Sequence, residues 1–304
     1  MTRLVAATLA LSLAAAAHAQ TSALGNVDIA SDTDGFHATR VRAGALHPDR
    51  SDLDYLGVAA QTTHYSQARW AQDAPGVVAV FRRQERGTLA GVNGEAGVVD
   101  AGGHVRAVGD VTWGLRPAQD TGVELIAAGD LVATRKAIDR GIAYGFFAAS
   151  VEHTFAERLT AIALVGYQPF TDGNDRVHLR ARVIWSALPE QGINLQLRWR
   201  QYDSGKDDVD GAYFNPDRYE QWQAAAGVRR RFGGWVLSGS FGAGRERIDG
   251  ADTHPVRVAE VRAEGALTAR TRVVFYALYS RTTAYVDAPD YSYRQAGITL
   301  IHRF

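Results

Sequence analysis

From about residue 35 onward, the chain is a succession of segments of roughly 10 to 14 residues in which apolar and polar side chains alternate, separated by clusters of Gly, Asp, Asn and Pro. The segments fall near 35–46, 54–65, 75–84, 88–99, 103–115, 120–131, 141–153, 158–169, 175–187, 190–203, 219–230, 234–244, 256–266, 271–283 and 291–304. Side chains point alternately to the two faces of a strand, so each segment has one apolar and one polar face. Two show it well. Val177, Leu179, Ala181, Val183 and Trp185 oppose His178, Arg180 and Arg182, while Leu195, Leu197 and Trp199 oppose Asn194, Gln196, Arg198, Arg200 and Tyr202. Arginines on one face and aliphatics with Trp on the other predict that one side meets lipid and the other an aqueous interior. The expected fold is all-β: a transmembrane antiparallel up-and-down barrel.

These segments number fifteen, an odd count in a class of barrel whose two ends lie on the same side of the membrane. Asn26 to Ser31, turning at Asp32–Gly35, supplies the sixteenth strand. The alternative is fourteen strands, with two short segments fused into one. With the last residue placed in the periplasm, the long connections fall outside: Ser204 to Arg218, Asp249 to His254, and the tip at Asp172 and Gly173. The tight ones, Phe232-Gly-Gly234, Pro117 to Asp120 and Thr268 to Arg270, fall in the periplasm. That division is the one expected of an outer-membrane barrel.

The two ends of the sequence add to this picture. Met1-Thr-Arg3, the apolar run Leu4 to Ala17 and the small-x-small site Ala17-His-Ala19 read as a secretory leader over 1–19, with the barrel over 20–304. At about fourteen residues the apolar run is short for a membrane span. The last segment places Ala296, Ile298, Leu300, His302 and Phe304 on one face. It resembles the terminal strand of bacterial outer-membrane barrels, with Phe304 in the signature position and His302 where an aromatic residue is more usual. The resemblance implies that Phe304 is an assembly signal read by the barrel insertion machinery.

Composition then removes possibilities. Formal net charge is zero, which leaves no basic footprint for nucleic acid. Cysteine is absent, which excludes disulfides and thiol chemistry. A mean hydropathy of −0.18 fits a barrel, because each lipid-facing residue is followed by a lumen-facing one. Of 33 cationic residues, only Lys136 and Lys206 are lysine. The nine histidines are scattered singly; His64 near Ser66 and His153 beside Glu152 are the nearest approach to a nucleophile–base pair. No catalytic residue, cofactor or metal is expected. Asp172, Asn174 and Asp175 lack the spacing of a calcium loop.

Aromatic residues gather toward segment ends, among them Tyr65, Trp70, Tyr144, Phe146, Phe147, Tyr167, Phe170, Trp199, Tyr202, Tyr219, Trp222, Tyr276, Tyr279, Tyr291 and Tyr293. Girdles at the membrane interfaces are the favoured reading, and stacking platforms in the lumen the competing one.

Two loops carry more character: Asp172, Gly173, Asn174 and Arg176 form one stretch, and Tyr213, Phe214, Asn215, Pro216 and Tyr219 another. With the Trp-x-x-Ser-Gly strand from Trp235 and the terminal Phe304, they resemble the barrel domains of exopolysaccharide export porins, those for poly-N-acetylglucosamine and cellulose, and their barrel-only YaiO-like relatives. The resemblance covers the C-terminal two-thirds. It implies an outer-membrane conduit for exopolysaccharide, with outer-membrane lipids and the assembly machinery as partners. Those exporters carry tetratricopeptide repeats before the barrel; here strand follows leader, which implies a separate periplasmic handover protein. On neighbouring predicted strands Arg180, Arg182, Arg198 and Arg200 should project into one stretch of lumen, with Tyr202 as a stacking surface. The plainer alternative pairs them with Glu260 and Glu264 as a space-filling ladder. Two other functions stay open: a receptor or structural barrel plugged by its loops, and a general solute porin, for which Asp207, Asp208 and Asp210 could form an inward acidic constriction.

Overall fold

The computed structural model describes residues 21–282 and 291–304; the leader expected over 1–19 lies outside them. Sixteen strands follow one another in a single antiparallel sheet: β1 Ser22–Asp32, β2 Phe36–Ser51, β3 Asp54–Gln67, β4 Trp70–Gln84, β5 Gly91–Ala101, β6 His104–Ala118, β7 Thr121–Leu131 and β8 Ala143–Ala156, then β9 Leu159–Pro169, β10 Asp175–Leu188, β11 Ile193–Ser204, β12 Arg218–Phe232, β13 Trp235–Ile248, β14 His254–Ala266, β15 Thr271–Arg281 and β16 Ser292–Arg303. Each pairs with its sequence neighbours and β1 pairs with β16, so the sheet closes. Closure leaves no strand edge with unpaired backbone groups. The strands run from 11 residues in β1 to 16 in β2, enough to cross a bilayer, which takes about 9–11 tilted residues.

The fourteen-strand alternative is set aside by β1. This strand begins earlier than expected, at Ser22, because Ser22 and Leu24 point inward, are buried and find partners in Arg303 and Ile301 of β16. β2 runs on to Ser51 and β4 starts at Trp70, both beyond the expected spans. β11 starts later than expected. The chain first makes a single 3₁₀ turn over Pro189–Gln191, closed by Gly192 in the left-handed region at φ 71°. A β-carbon at Gly192 would sit 1.9 Å from the Arg229 carbonyl oxygen, so both the turn and the close approach to β12 require glycine.

Alternation sorts the sixteen strands into two surfaces. Val177, Leu179, Val183 and Trp185 on β10, and Leu195 and Leu197 on β11, lie outside at 40–51% exposure. Val27, Val58, Val77, Leu125, Val165, Val261, Ile298 and Leu300 continue this apolar band around the barrel. Inside, the two halves differ. From β1 to β8 the interior is packed with Leu24, Phe36, Leu46, Tyr65, Val78, Val99 and Val108. Ion pairs also cross it between strands that are not neighbours: Arg40 of β2 reaches Asp130 of β7 at 2.7 Å, and Arg42 of β2 meets Glu95 of β5. From β9 to β16 the interior is polar and open.

The aromatic residues divide between these surfaces and do not form girdles alone. Phe147, Tyr167, Trp222 and Tyr279 face outward. Tyr65 and Tyr219 are buried inside, Tyr276 donates to Asp28 of β1 at 2.6 Å, and Phe146 packs on Arg180 of the inner wall. Strand parity explains the split: Phe146 and Phe147 are adjacent, and Tyr219 and Trp222 three apart, so each pair must point to opposite faces.

Candidate functional site

Thr21 and Phe304 lie together at one end of the barrel, bonded backbone to backbone at 3.4 Å. At the opposite end, which carries the long connections, three loops join into a cap. The β7–β8 connection contains a short helix, α1 (Arg135–Asp139), capped by Thr134, whose hydroxyl accepts from the Ala137 amide. The same hydroxyl donates to the Ala212 carbonyl in the β11–β12 connection at 2.5 Å. Lys136 and Arg140 both pair with Asp210, and these bonds hold the Asp210 carboxyl below the usual range. Ala137, Ile142, Phe170, Ala212 and Tyr213 pack beneath as a small apolar core.

The two loop motifs singled out in the sequence meet here. Asn174 donates to the Tyr213 hydroxyl at 3.0 Å and to Asn215 Oδ1 at 2.7 Å, and accepts from the Lys206 amide at 3.0 Å. Tyr213 donates to Asp172 at 2.9 Å. Burial pushes the Tyr213 hydroxyl up to about 12, so it stays protonated and keeps donating. Gly173 supplies the positive φ of 82° at the turn. Pro216 is buried in the same connection. Below this knot the Arg176 guanidinium lies 4.9, 5.0 and 5.5 Å from the ring centres of Phe170, Tyr202 and Tyr213, and donates to the Phe214 carbonyl and to Asn215. Arg176 therefore belongs to the cap.

Beneath Arg176 the inner wall of β10 to β13 is laid out in steps. Tyr202 and Tyr219 stack at 4.9 Å with 13° between their planes, and His178 sits 5.1 Å from Tyr202. Tyr219 donates to Glu246 at 2.5 Å and accepts from Arg200 and Gln221 at 2.8 and 2.9 Å. The four predicted arginines then come together, since Arg180 faces Arg200 and Arg182 faces Arg198 in register. Arg180 lies 5.5 Å from the Phe146 ring centre. Arg198 donates to Gln196 at 2.8 Å and Ser240 at 3.2 Å, with Glu260 at 3.9 Å. Arg182 Nε is a buried donor with no partner among the described residues.

The space-filling ladder is thus only partly formed. Glu260 stands at the margin of pairing distance from Arg198, and Glu264 is engaged by Arg262 at 3.1 Å. Directly opposed like charges repel, so this wall keeps a net positive field. It borders a cavity of about 940 Å³ whose lining includes all four arginines, Gln196, Gln221 and Gln223. Guanidinium forks, primary amides and hydroxyls with ring faces nearby can grip hydroxyl or carboxylate groups. Asp207 and Asp208 are exposed, and Asp210 is held in the cap. Of the three residues that could form an acidic constriction, Asp210 is the one engaged by cations among the described residues, Lys136 and Arg140 of the β7–β8 connection.

No protein-family model matches the chain, and no curated protein matches its sequence. Solved structures do match in fold. A bacterial polysaccharide outer membrane secretin superposes with a TM-score of 0.65 at 14% identity, covering 94% of this chain and 99% of that one. CdiB from Acinetobacter baumannii matches with a TM-score of 0.50 at 9% identity, over 93% of this chain and 60% of that one. Pseudomonas aeruginosa OccK7 (OpdD) matches with a TM-score of 0.45 at 10% identity, over 93% of this chain and 97% of that one. At these identities the likeness concerns the fold.

What the sequence did not point to is the supporting cast. Gln221, Gln223 and Ser240 share parity with the arginines and could have been placed inside by that rule alone. The ion pairs Arg40–Asp130 and Arg42–Glu95 had no local signal, because they join strands that are not neighbours.

Proposed function

We propose that the protein sits in the bacterial outer membrane, with Thr21 and Phe304 at the periplasmic rim, and that it conducts exopolysaccharide through the half of the lumen lined by β9 to β16. The observation that carries this reading is the cluster Arg180, Arg182, Arg198 and Arg200 with glutamines beside it, bordering an open cavity and backed by stacked Tyr202 and Tyr219. Supporting it are the outward apolar band, which calls for hydrocarbon, and the fold of the polysaccharide secretin. The protein acts as a conduit, not as a catalyst, and receives polymer from a separate periplasmic partner. The positive wall favours polymers carrying carboxylate, or an otherwise electron-rich hydroxyl array, over cationic ones.

Single-channel recording tests this. Wild type should prefer anions; Arg182→Ser with Arg198→Ser should leave a folded barrel, reduce anion preference several-fold and lower surface polymer in cells. These two arginines are chosen because neither supports Tyr219. A folded double variant with unchanged selectivity and unchanged polymer would reduce the arginines to packing.

A further inference from the structure

The outer surface carries a second arginine cluster. Beyond the apolar band, at the cap end of the barrel, β13 presents Arg245 and Arg247, β14 Arg257, β15 Arg281 and β16 Arg294, all on the outward parity. Arg257 stands directly opposite Arg281 in register, and Arg294 is opposite Tyr279, with its guanidinium 6.0 Å from that ring centre. Arg245 and Arg257 make no ion pair among the described residues. At the same level β3 to β5 carry His64, Asp73 and Asp100 instead. On β12, beside the stripe, Glu220 stands directly opposite Arg247, so the cations of the stripe with no carboxylate facing them in register include Arg245, Arg257 and Arg294.

Directly below the stripe the wall is hollowed. A groove of about 590 Å³ is lined on its outward side by Ile29, Val261, Ala277, Tyr279 and Ala296, with Arg294 at its upper edge. Alanines at 277 and 296, paired in register, make the hollow, since larger side chains there would fill it. An apolar trough capped by cations complements an amphiphile with acyl chains below and anionic groups above.

We propose that this face binds a phosphorylated, multiply acylated glycolipid of the lipid A class from the outer leaflet, with acyl chain in the groove and phosphates on Arg257, Arg294 and their neighbours. The assignment rests on the orientation given above, which puts the stripe at the outer headgroup level. The stripe crosses three strand spacings, about 14 Å, a span suited to two phosphates on one headgroup and wasted on a single phosphodiester. Planar guanidinium forks are matched to phosphate oxygens.

Native mass spectrometry of the full protein in detergent tests this, using bis-phosphorylated lipid A, its dephosphorylated form and phosphatidylglycerol as probes. Lipid A should be retained about tenfold better than either of the others, a gap of about 1.4 kcal/mol. Arg257→Ser with Arg294→Ser should abolish that preference and leave the anion selectivity of the channel unchanged. Ala277→Trp, which fills the groove, should reduce retention of lipid A. Equal retention of the three lipids by wild type would overturn the proposal even if no variant folds, as would a double variant that keeps the preference. Because selectivity is read on the same preparations, failure of the lipid site and failure of the conduit reading are told apart.

Discussion

Tyr219 is where the inner wall can be probed with a single atom. Its hydroxyl joins Arg200, Gln221 and the buried Glu246, so Tyr219→Phe removes one oxygen and takes a hydrogen bond from each of three polar groups. The expected cost is about 1–3 kcal/mol, read as a shift of the urea midpoint in detergent, and ring stacking on Tyr202 should survive. A variant as stable as wild type would mean that solvent replaces the hydroxyl. At this scale the sequence was informative about direction. Parity alone placed Arg180, Arg182, Arg198, Arg200 and Tyr202 inside. The same parity would have sorted the aromatics, but their clustering at segment ends pointed to girdles and masked the fact that Tyr219 and Trp222 face opposite ways. What parity cannot supply is the partner: that Arg200 meets Tyr219, and Arg198 meets Ser240 two strands away, depends on register across β11, β12 and β13.

Among the elements, the cap shows how far local signals reach. The Asp172–Arg176 and Tyr213–Tyr219 stretches stood out in the sequence, yet their contact through Asn174 spans 39 residues to Tyr213 and exists only because β10, β11 and β12 lie side by side. Helix α1 had no such signal. Five residues are too few for a hydrophobic period, and it is held by Thr134 at its start and by Lys136 and Arg140 on Asp210. This clamp should depend on pH with a definite sign. The Asp210 carboxyl titrates lower in the folded protein than in the unfolded chain, so its contribution is present above the ordinary carboxylate range and lost as pH falls through the folded value. The protection factors of the 134–142 and 206–212 amides, each taken against the intrinsic exchange rate at the same pH, should fall once the carboxyl is protonated below the ordinary carboxylate range, and Asp210→Asn should reproduce at neutral pH much of that loss. Equal protection of those amides in Asp210→Asn and wild type at neutral pH would show that the apolar contacts of Ala137, Phe170 and Tyr213 hold the cap by themselves.

At the scale of the molecule, sixteen strands were inferred because fifteen would have left the ends on opposite sides, and the closing pair β1–β16 is what that reasoning demanded. The seam has a lock the sequence did not disclose. The Asp49 side chain is fully buried, accepts from Ser22 at 2.6 Å, and is gripped by Arg272 and Arg303 at 3.1 and 3.0 Å, tying β2 and β1 to β15 and β16. Asp49→Ala would leave two guanidiniums facing each other over a void. Because both arginines are partly solvated, the loss should fall near about 3 kcal/mol, the lower end for a broken buried pair, and the heat-modifiable folded fraction on gels should drop. Orientation decides which leaflet the outer arginine stripe meets. The connections at the Phe304 end are short, the longest being the β4–β5 turn over residues 85–90, whereas the opposite end carries the cap and the β11–β12 loop over residues 205–217. Long loops face outward in barrels of this kind. Asp208, exposed on that loop, should therefore react as Asp208→Cys with a membrane-impermeant maleimide on intact cells, while Gly233→Cys should react only after the outer membrane is breached. Labelling of Gly233→Cys on intact cells with Asp208→Cys silent would invert the barrel, place the outer arginine stripe against the inner leaflet and remove the ground for a lipid A site, leaving the lumenal arginines where they are.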